Sequence, residues 1–184
     1  NVLNRPGLVA PGTVKRVQQV IEEFGYIPNG YVKQMSAVHS RTLGLVVPNV
    51  SNPFFAEVAR GVEDAAAKKN YAVFICNTGE SHEREERFMG VLIEQLVKGV
   101  LITPTSMKPG HIKTLKERGI FVTLIDASSK RASECSVTVN DVRGAEIAIE
   151  HLVSLGHTHV AWVCGPDTIP QAADRSKGVA NAAK

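Results

Sequence analysis

Three histidines, His151, His157 and His159, fall within nine residues of one another and are the first place to look for a metal. No cysteine or carboxylate stands near them at ligand spacing, and they straddle a helix end and a strand start. They read as helix-terminal and surface residues. Cys76, Cys135 and Cys164 are odd in number and widely spaced. That pattern suits neither a disulfide framework nor a zinc site and favours a reducing compartment. No nucleophile elbow, P-loop or glycine-rich dinucleotide fingerprint follows any apolar run, and no general acid–base pair can be assembled. The chemistry in reach is therefore binding, with no enzyme, no cofactor and no metal expected. What remains is a set of polar and aromatic residues placed just behind apolar runs: Asn49 to Phe55, Asn77-Thr78, Asp126-Ala127, Asn140-Asp141, and Gly165 onward. In open α/β sheets ligands bind beyond the carboxyl ends of the strands. An apolar platform with a few polar groups is what a small polar ligand needs.

The elements that would position these loops alternate. Strand-like runs are Leu43–Val47, Ala72–Cys76, Val100–Ile102, Phe121–Ile125, Ser136–Val139 and Val160–Cys164. Helical periodicity falls between them, over Phe54–Lys69, His82–Val97, Lys108–Arg118 and Val142–Leu155. The runs are apolar throughout, which means burial on both faces, and the connections are short. Both features predict a doubly wound parallel sheet flanked by helices. Gly61, with Val58, Val62 and Ala65, is expected to mark a helix face that packs closely. The composition, 43 % hydrophobic and 21 % charged over 184 residues, is that of a globular chain. The longest apolar runs, Leu43–Val47 and Tyr71–Cys76, are far short of the roughly 20 residues of a membrane span. No basic-then-apolar leader follows Asn1. Asn1 to Asn4 reads as the last turn of a helix, and Ser176–Lys184 as a helix without a stop signal, so a piece of a longer protein is expected.

Residues 1–41 follow a different pattern. They hold five basic side chains (Arg5, Lys15, Arg16, Lys33, Arg41) against Glu22 and Glu23, which is the chain's entire excess of +3. The other 143 residues carry sixteen charges of each sign. A basic module on a neutral body suits an anionic partner. Val14, Val17, Val20 and Ile21 give helical spacing over Thr13–Phe24. Pro11 suits the first turn, Gly25 the end, and Ala10 is a poor N-cap. Pro28 stops regular structure, and a second short segment runs over Gly30–Ala37.

Val2-Leu3-Asn4-Arg5-Pro6-Gly7, the helix Thr13–Phe24 and Gly25-Tyr26-Ile27-Pro28-Asn29 together resemble the headpiece of the LacI/GalR (lactose-repressor) family of bacterial transcription regulators. Leu43 to Pro48, Ser51 to Phe55 and Cys76 to Thr78 look like the first strand-to-loop junctions of that family's effector domain. His151-Leu152, Leu155-Gly156-His157, Gly165-Pro166, and Arg175 with Gly178 look like the opening of its second subdomain. The resemblance covers the chain in order. It implies a truncated helix-turn-helix headpiece (1–29), a hinge helix and linker (30–41), an N-terminal effector-binding subdomain (42–139) and the start of a C-terminal one (140–184). The body would have the periplasmic-binding-protein-like, type I architecture. The crossover between subdomains would fall near Val139–Asn140.

By the same resemblance, Asn4, Arg5 and Thr13 would bind DNA phosphates, and Tyr26 would pack beneath the headpiece with its hydroxyl toward one. Asn29, Val32, Lys33, Gln34 and Met35 would belong to a hinge helix in the minor groove. Met35 would be the apolar wedge between base pairs. In the effector cleft, Phe54 or Phe55 would stack on a sugar-like ring, Asn77, Asp126 and the Asn140-Asp141 pair would supply hydrogen bonds, and Arg175 would reach in from the second subdomain. Two departures stand out: Asp126-Ala127 replaces a frequent Asp-Arg, and Asn140-Asp141 reverses a frequent Asp-Asn. The implied protein is a cytoplasmic, homodimeric regulator, most often a repressor in this family. Its partners would be double-stranded operator DNA and a small sugar-like effector, with no membrane. Phe88, Val91 and Leu92 would lie toward the dimer interface. A transport-type sugar-binding protein is the alternative of the same fold, and the basic helical N-terminus argues against it.

Overall fold

A computed structural model describes residues 2, 6–25, 40–105, 109–127, 135–166 and 169–183. Five parallel strands form one sheet: β1 (Thr42–Val47), β2 (Ala72–Asn77), β3 (Gly99–Ile102), β4 (Phe121–Ile125) and β5 (Cys135–Val137). Their order is β2-β1-β3-β4-β5. The register places Val46 beside Cys76 and Ile102, and Ile102 beside Leu124. Because the chain turns from β1 to β2 on one side and then to β3 on the other, the loops after β1 and β3 part. That is the switch point at which a doubly wound sheet opens a crevice.

The helices are α1 (Pro11–Glu23), α2 (Pro53–Ala67), α3 (His82–Glu94), α4 (Pro109–Glu117), α5 (Asp141–Ser154) and α6 (Pro170–Ala182), with a short 3-10 turn over Pro6–Leu8. Their starts are written locally. Asn52 Oδ1 accepts the Phe54 N–H at 3.0 Å, with Pro53 at the first helical position. Ser81 Oγ accepts the Arg84 N–H at 3.3 Å, and Glu83 and Glu85 sit in the first turn of α3, where the helix dipole favours acids. Ala10 precedes α1 without a side-chain cap, and α1 buries none of its residues.

The sheet carries one core on each face. Val46, Val100, Ile102, Val122 and Leu124 meet Met89, Leu92, Ile112 and Leu115 from α3 and α4. Leu45, Val47 and Ile125 meet Phe55 and Ala59 from α2. Gly44 lets α3 come close: a Cβ there would lie 2.7 Å from Leu92 Cδ1. Leu92 is therefore fully buried, and its expected place in a subunit interface does not hold. Phe88 is partly buried against the same core, and Val91 is exposed.

Three further expectations are corrected. Val160–Cys164 is not a strand, because no described strand lies beside it to accept its ladder, and Val163 stays exposed. Gly61 does not mark a close contact. A Cβ there would meet nothing within 4 Å, and Val58, Gly61, Val62 and Ala65 line an open apolar groove of about 580 Å³ beside β3, β4 and β5. The last helix starts at Pro170, well before Ser176. It packs tightly on α5 through Gly178, where a Cβ would collide with the Val142 carbonyl oxygen.

Candidate effector site

The carboxyl ends of β2 and β4, the first turns of α2 and α5 and the second turn of α6 supply the expected ligand groups. Phe54, in the first turn of α2, is 39 % exposed, and its ring stands edge-on to Phe55 at 5.1 Å. Phe55 is buried among Leu45, Val47, Ala59 and Ile125, so it belongs to the core and not to a ligand. The Asn52 cap sets this phase, since neighbouring helical residues point about 100° apart. Asn77 closes β2, and its side-chain Oδ1 is buried with no hydrogen-bond partner among the described residues. A buried acceptor left unpaired costs roughly 1–3 kcal/mol, which a ligand hydroxyl would recover.

Asp126 follows β4 with a positive φ of 52°, a backbone conformation Asp tolerates better than most residues. Its N–H donates to the Val137 carbonyl at 2.8 Å, and its own carbonyl accepts the side-chain amide of Gln171. Burial pushes its carboxyl above the ordinary carboxylate value, and the neighbouring Asp141 adds to the rise; Arg175 and Gln171 oppose it. The reversed pair divides its work. Asn140 is the N-cap of α5, accepting the Arg143 N–H at 2.9 Å. Asp141 accepts a 2.6 Å hydrogen bond from Arg175 Nε, an ion pair whose acid is 9 % exposed and whose guanidinium is 53 % exposed. Arg175 is thus held by an acid on α5 and has donors left over.

Thr13 is exposed in the first turn of α1. Asn4, Arg5, Tyr26, Asn29, Val32, Lys33, Gln34 and Met35 lie outside the described residues. His151 is exposed in the last turn of α5, and His157 and His159 are exposed beyond it. Among the described residues no three His, Cys, Asp or Glu side chains converge on a point that could hold a metal ion. No described helix is long and apolar enough to cross a membrane. One residue at this edge escapes the sequence reading: Glu85, buried in α3. Its signal was an acid in the same helical stripe as Met89 and Leu92.

Residues 40–184 match the profile of the family described as periplasmic binding proteins and sugar binding domain of LacI family. The chain belongs to that family. It is 34 % identical over 177 residues to the ribose operon repressor of Halalkalibacterium halodurans, covering 96 % of this chain and 52 % of that protein. The HTH-type transcriptional repressor PurR of Aliivibrio fischeri is 32 % identical over 167 residues, 90 % of this chain and 49 % of its own length. Among solved structures, a periplasmic binding protein/LacI transcriptional regulator from Alkaliphilus metalliredigens complexed with D-xylulofuranose superposes with a TM-score of 0.68, at 28 % identity over 78 % of this chain and 52 % of that one. The chain spans about half the length of the curated relatives it matches. The doubly wound parallel α/β architecture expected from the sequence is that of this family's members, with five described strands where six runs were expected.

Proposed function

We propose that this chain is part of a sugar-responsive transcription regulator, a repressor that binds operator DNA through its basic N-terminal module and a neutral furanose-type sugar in the cleft at the carboxyl edge of the sheet. What supports the reading is that the elements meeting the carboxyl edge of the sheet carry an exposed aromatic face (Phe54), a buried unpaired acceptor (Asn77 Oδ1) and a guanidinium fixed by Asp141. Phe54 packs the ring, Asn77 accepts a hydroxyl, and Asp126 and Arg175 bracket the far side from β4 and α6. The named relatives support the ligand class: one is a ribose operon repressor and another holds D-xylulofuranose. The regulator acts as a cytoplasmic homodimer. Sugar binding changes how the α5–α6 lobe sits on the sheet lobe and so changes the hinge segments 30–41, a coupling of two sites through one closure equilibrium. Asn29, Val32, Lys33, Gln34 and Met35 form the minor-groove element of that coupling, with Asn4, Arg5, Thr13 and Tyr26 on phosphates.

The test is an NMR titration of the 184-residue chain with millimolar D-ribose and D-xylulose. Concerted shifts of the Phe54, Asn77, Asp126 and Asp141 amides support the reading. A chain whose cleft amides ignore both sugars refutes it.

A further inference from the structure

Glu85 is 2 % exposed, the one formally charged side chain that is buried among the described residues. Such burial is unfavourable unless the carboxylate is hydrogen-bonded. Its Oε2 accepts the backbone N–H of Thr105 at 2.7 Å, a length typical of charge-assisted bonds. Thr105 lies three residues past β3, in a turn that belongs to no helix or strand. The Thr105 hydroxyl is 3.4 Å from that of Thr78, which is fully buried and stands 3.4 Å from the Val47 carbonyl oxygen. Main-chain bonds complete the stitching: Thr78 N–H to Val47 O and Thr103 N–H to Val46 O, both 2.9 Å. The ends of β1, β2 and β3 are thereby tied at the switch point of the sheet. Two buried polar atoms without a partner among the described residues stand at this seam, Asn77 Oδ1 and Thr103 Oγ1.

From this juxtaposition we infer that Glu85 is a positioning residue of the effector cleft: it clamps the turn after β3 so that Asn77 and Thr103 present their unpaired oxygens to the sugar. The inference rests on the sugar-cleft reading above and adds a residue to it that touches no ligand. The geometry gives the clamp a direction. Glu85 sits on α3 behind the seam, in the inward stripe with Met89 and Leu92, so it holds the turn from the core side and leaves the cleft side free. An apolar residue of equal size would fill the same space and release the turn.

The test compares Glu85→Gln, which keeps an acceptor, with Glu85→Met, which keeps the volume and removes it. The readouts, in the full 184-residue chain, are amide hydrogen exchange at Thr105 and the NMR-titrated affinity for D-ribose and D-xylulose. Glu85→Gln is expected to hold Thr105 protection and sugar affinity within about 3-fold of wild type. Glu85→Met should lose roughly 10-fold or more of both, the size expected for a hydrogen bond to a charged group, while the Leu45 and Val100 amides stay protected. A folded Glu85→Met chain with a protected Thr105 amide, or with wild-type sugar affinity, overturns the inference. Should Glu85→Met fail to fold, Thr105→Pro removes the donor instead, and unchanged sugar affinity there overturns it equally. If the wild type takes neither sugar, the sugar reading falls, and Thr105 exchange still decides the clamp.

Discussion

Gly178→Ala sets two known effects against each other. In an open helix, Gly to Ala stabilises by up to about 1 kcal/mol through backbone entropy. At Gly178 the new methyl would overlap the Val142 carbonyl oxygen and come within 2.9 Å of Ala145 Cβ. The carbonyl belongs to the first turn of α5 and cannot rotate away without opening that turn, so the two helices must separate. Overpacking of this kind costs about 1–3 kcal/mol. Separation also stretches the bonds across the seam, Arg175 to Asp141 at 2.6 Å and Asn181 to Glu146 at 2.9 Å. The expected net is a loss of about 1–2 kcal/mol, or roughly 2–8 °C in Tm for a chain of this size. Trp162, the only tryptophan, donates to Ser176 Oγ on α6 at 3.2 Å and reports on this lobe by fluorescence during urea unfolding. Gly61→Ala is the matched control. It lies mid-helix in α2 with nothing within 4 Å of the added carbon, so it should stabilise, by at most about 1 kcal/mol. A Gly178→Ala chain as stable as wild type, or more so, would refute the close approach of α5 and α6.

Three further outcomes follow from the same structure. Leu92→Ala removes a fully buried side chain over Gly44 and should destabilise by about 2–5 kcal/mol in urea titrations. Asp126→Asn should raise Tm at neutral pH: the folded carboxyl holds its proton more tightly than the unfolded one, so its contribution is best in acid and declines as pH rises through the interval above the ordinary carboxylate value. The wild-type-minus-variant stability difference, plotted against pH, should fall across that interval and be flat elsewhere. The chain's excess of +3 within residues 1–41 predicts duplex-DNA binding in mobility-shift gels at low salt that vanishes near physiological salt; tight binding that persists there would contradict an attraction that rests on phosphate charge alone.

The inner strands β1, β3 and β4 were legible because strands buried on both faces write themselves as unbroken apolar runs; the edge strands β2 and β5 carry similar runs yet are largely exposed, so the two-faced burial expected of them does not hold. Val160–Cys164 shows the limit of that signal. It has the same composition, and strand formation depends on a neighbour that a run of five residues cannot reveal. The candidate ligand groups were legible only as a set of loops. Choosing Phe54 over Phe55 needed the helix phase fixed by Asn52, and dividing Asn140 from Asp141 needed the α5 cap and the position of α6. The positive φ of Asp126 left no trace in sequence, since Asp is common in turns of every kind. Glu85 could have been found, because an acid in an apolar helical stripe is an inconsistency that asks for a buried partner.

The charge balance of the proposed cleft would select among effectors. Asp126 and Asp141 face one guanidinium, Arg175, whose Nε is already committed to Asp141. A sugar phosphate would have to compete with Asp141 for Arg175 while approaching a second carboxylate in a partly desolvated site, where like charges are strongly unfavourable. A neutral sugar meets no such penalty: its hydroxyls donate to the carboxylates and accept from the remaining guanidinium N–H groups. D-ribose should therefore bind the chain more tightly than D-ribose 5-phosphate, by roughly 10-fold at low ionic strength, with the gap narrowing as salt screens it. Asp126→Asn removes one of the two negative charges and should narrow the gap as well, whereas Asn140→Ala, which takes away only the cap of α5, should leave it unchanged. Parallel NMR titrations with both sugars at two salt concentrations measure the difference. Tighter binding of the phosphate would show that Arg175 leaves Asp141 on binding, and that the ion pair is a latch opened by anions and not a fixed donor for neutral sugars.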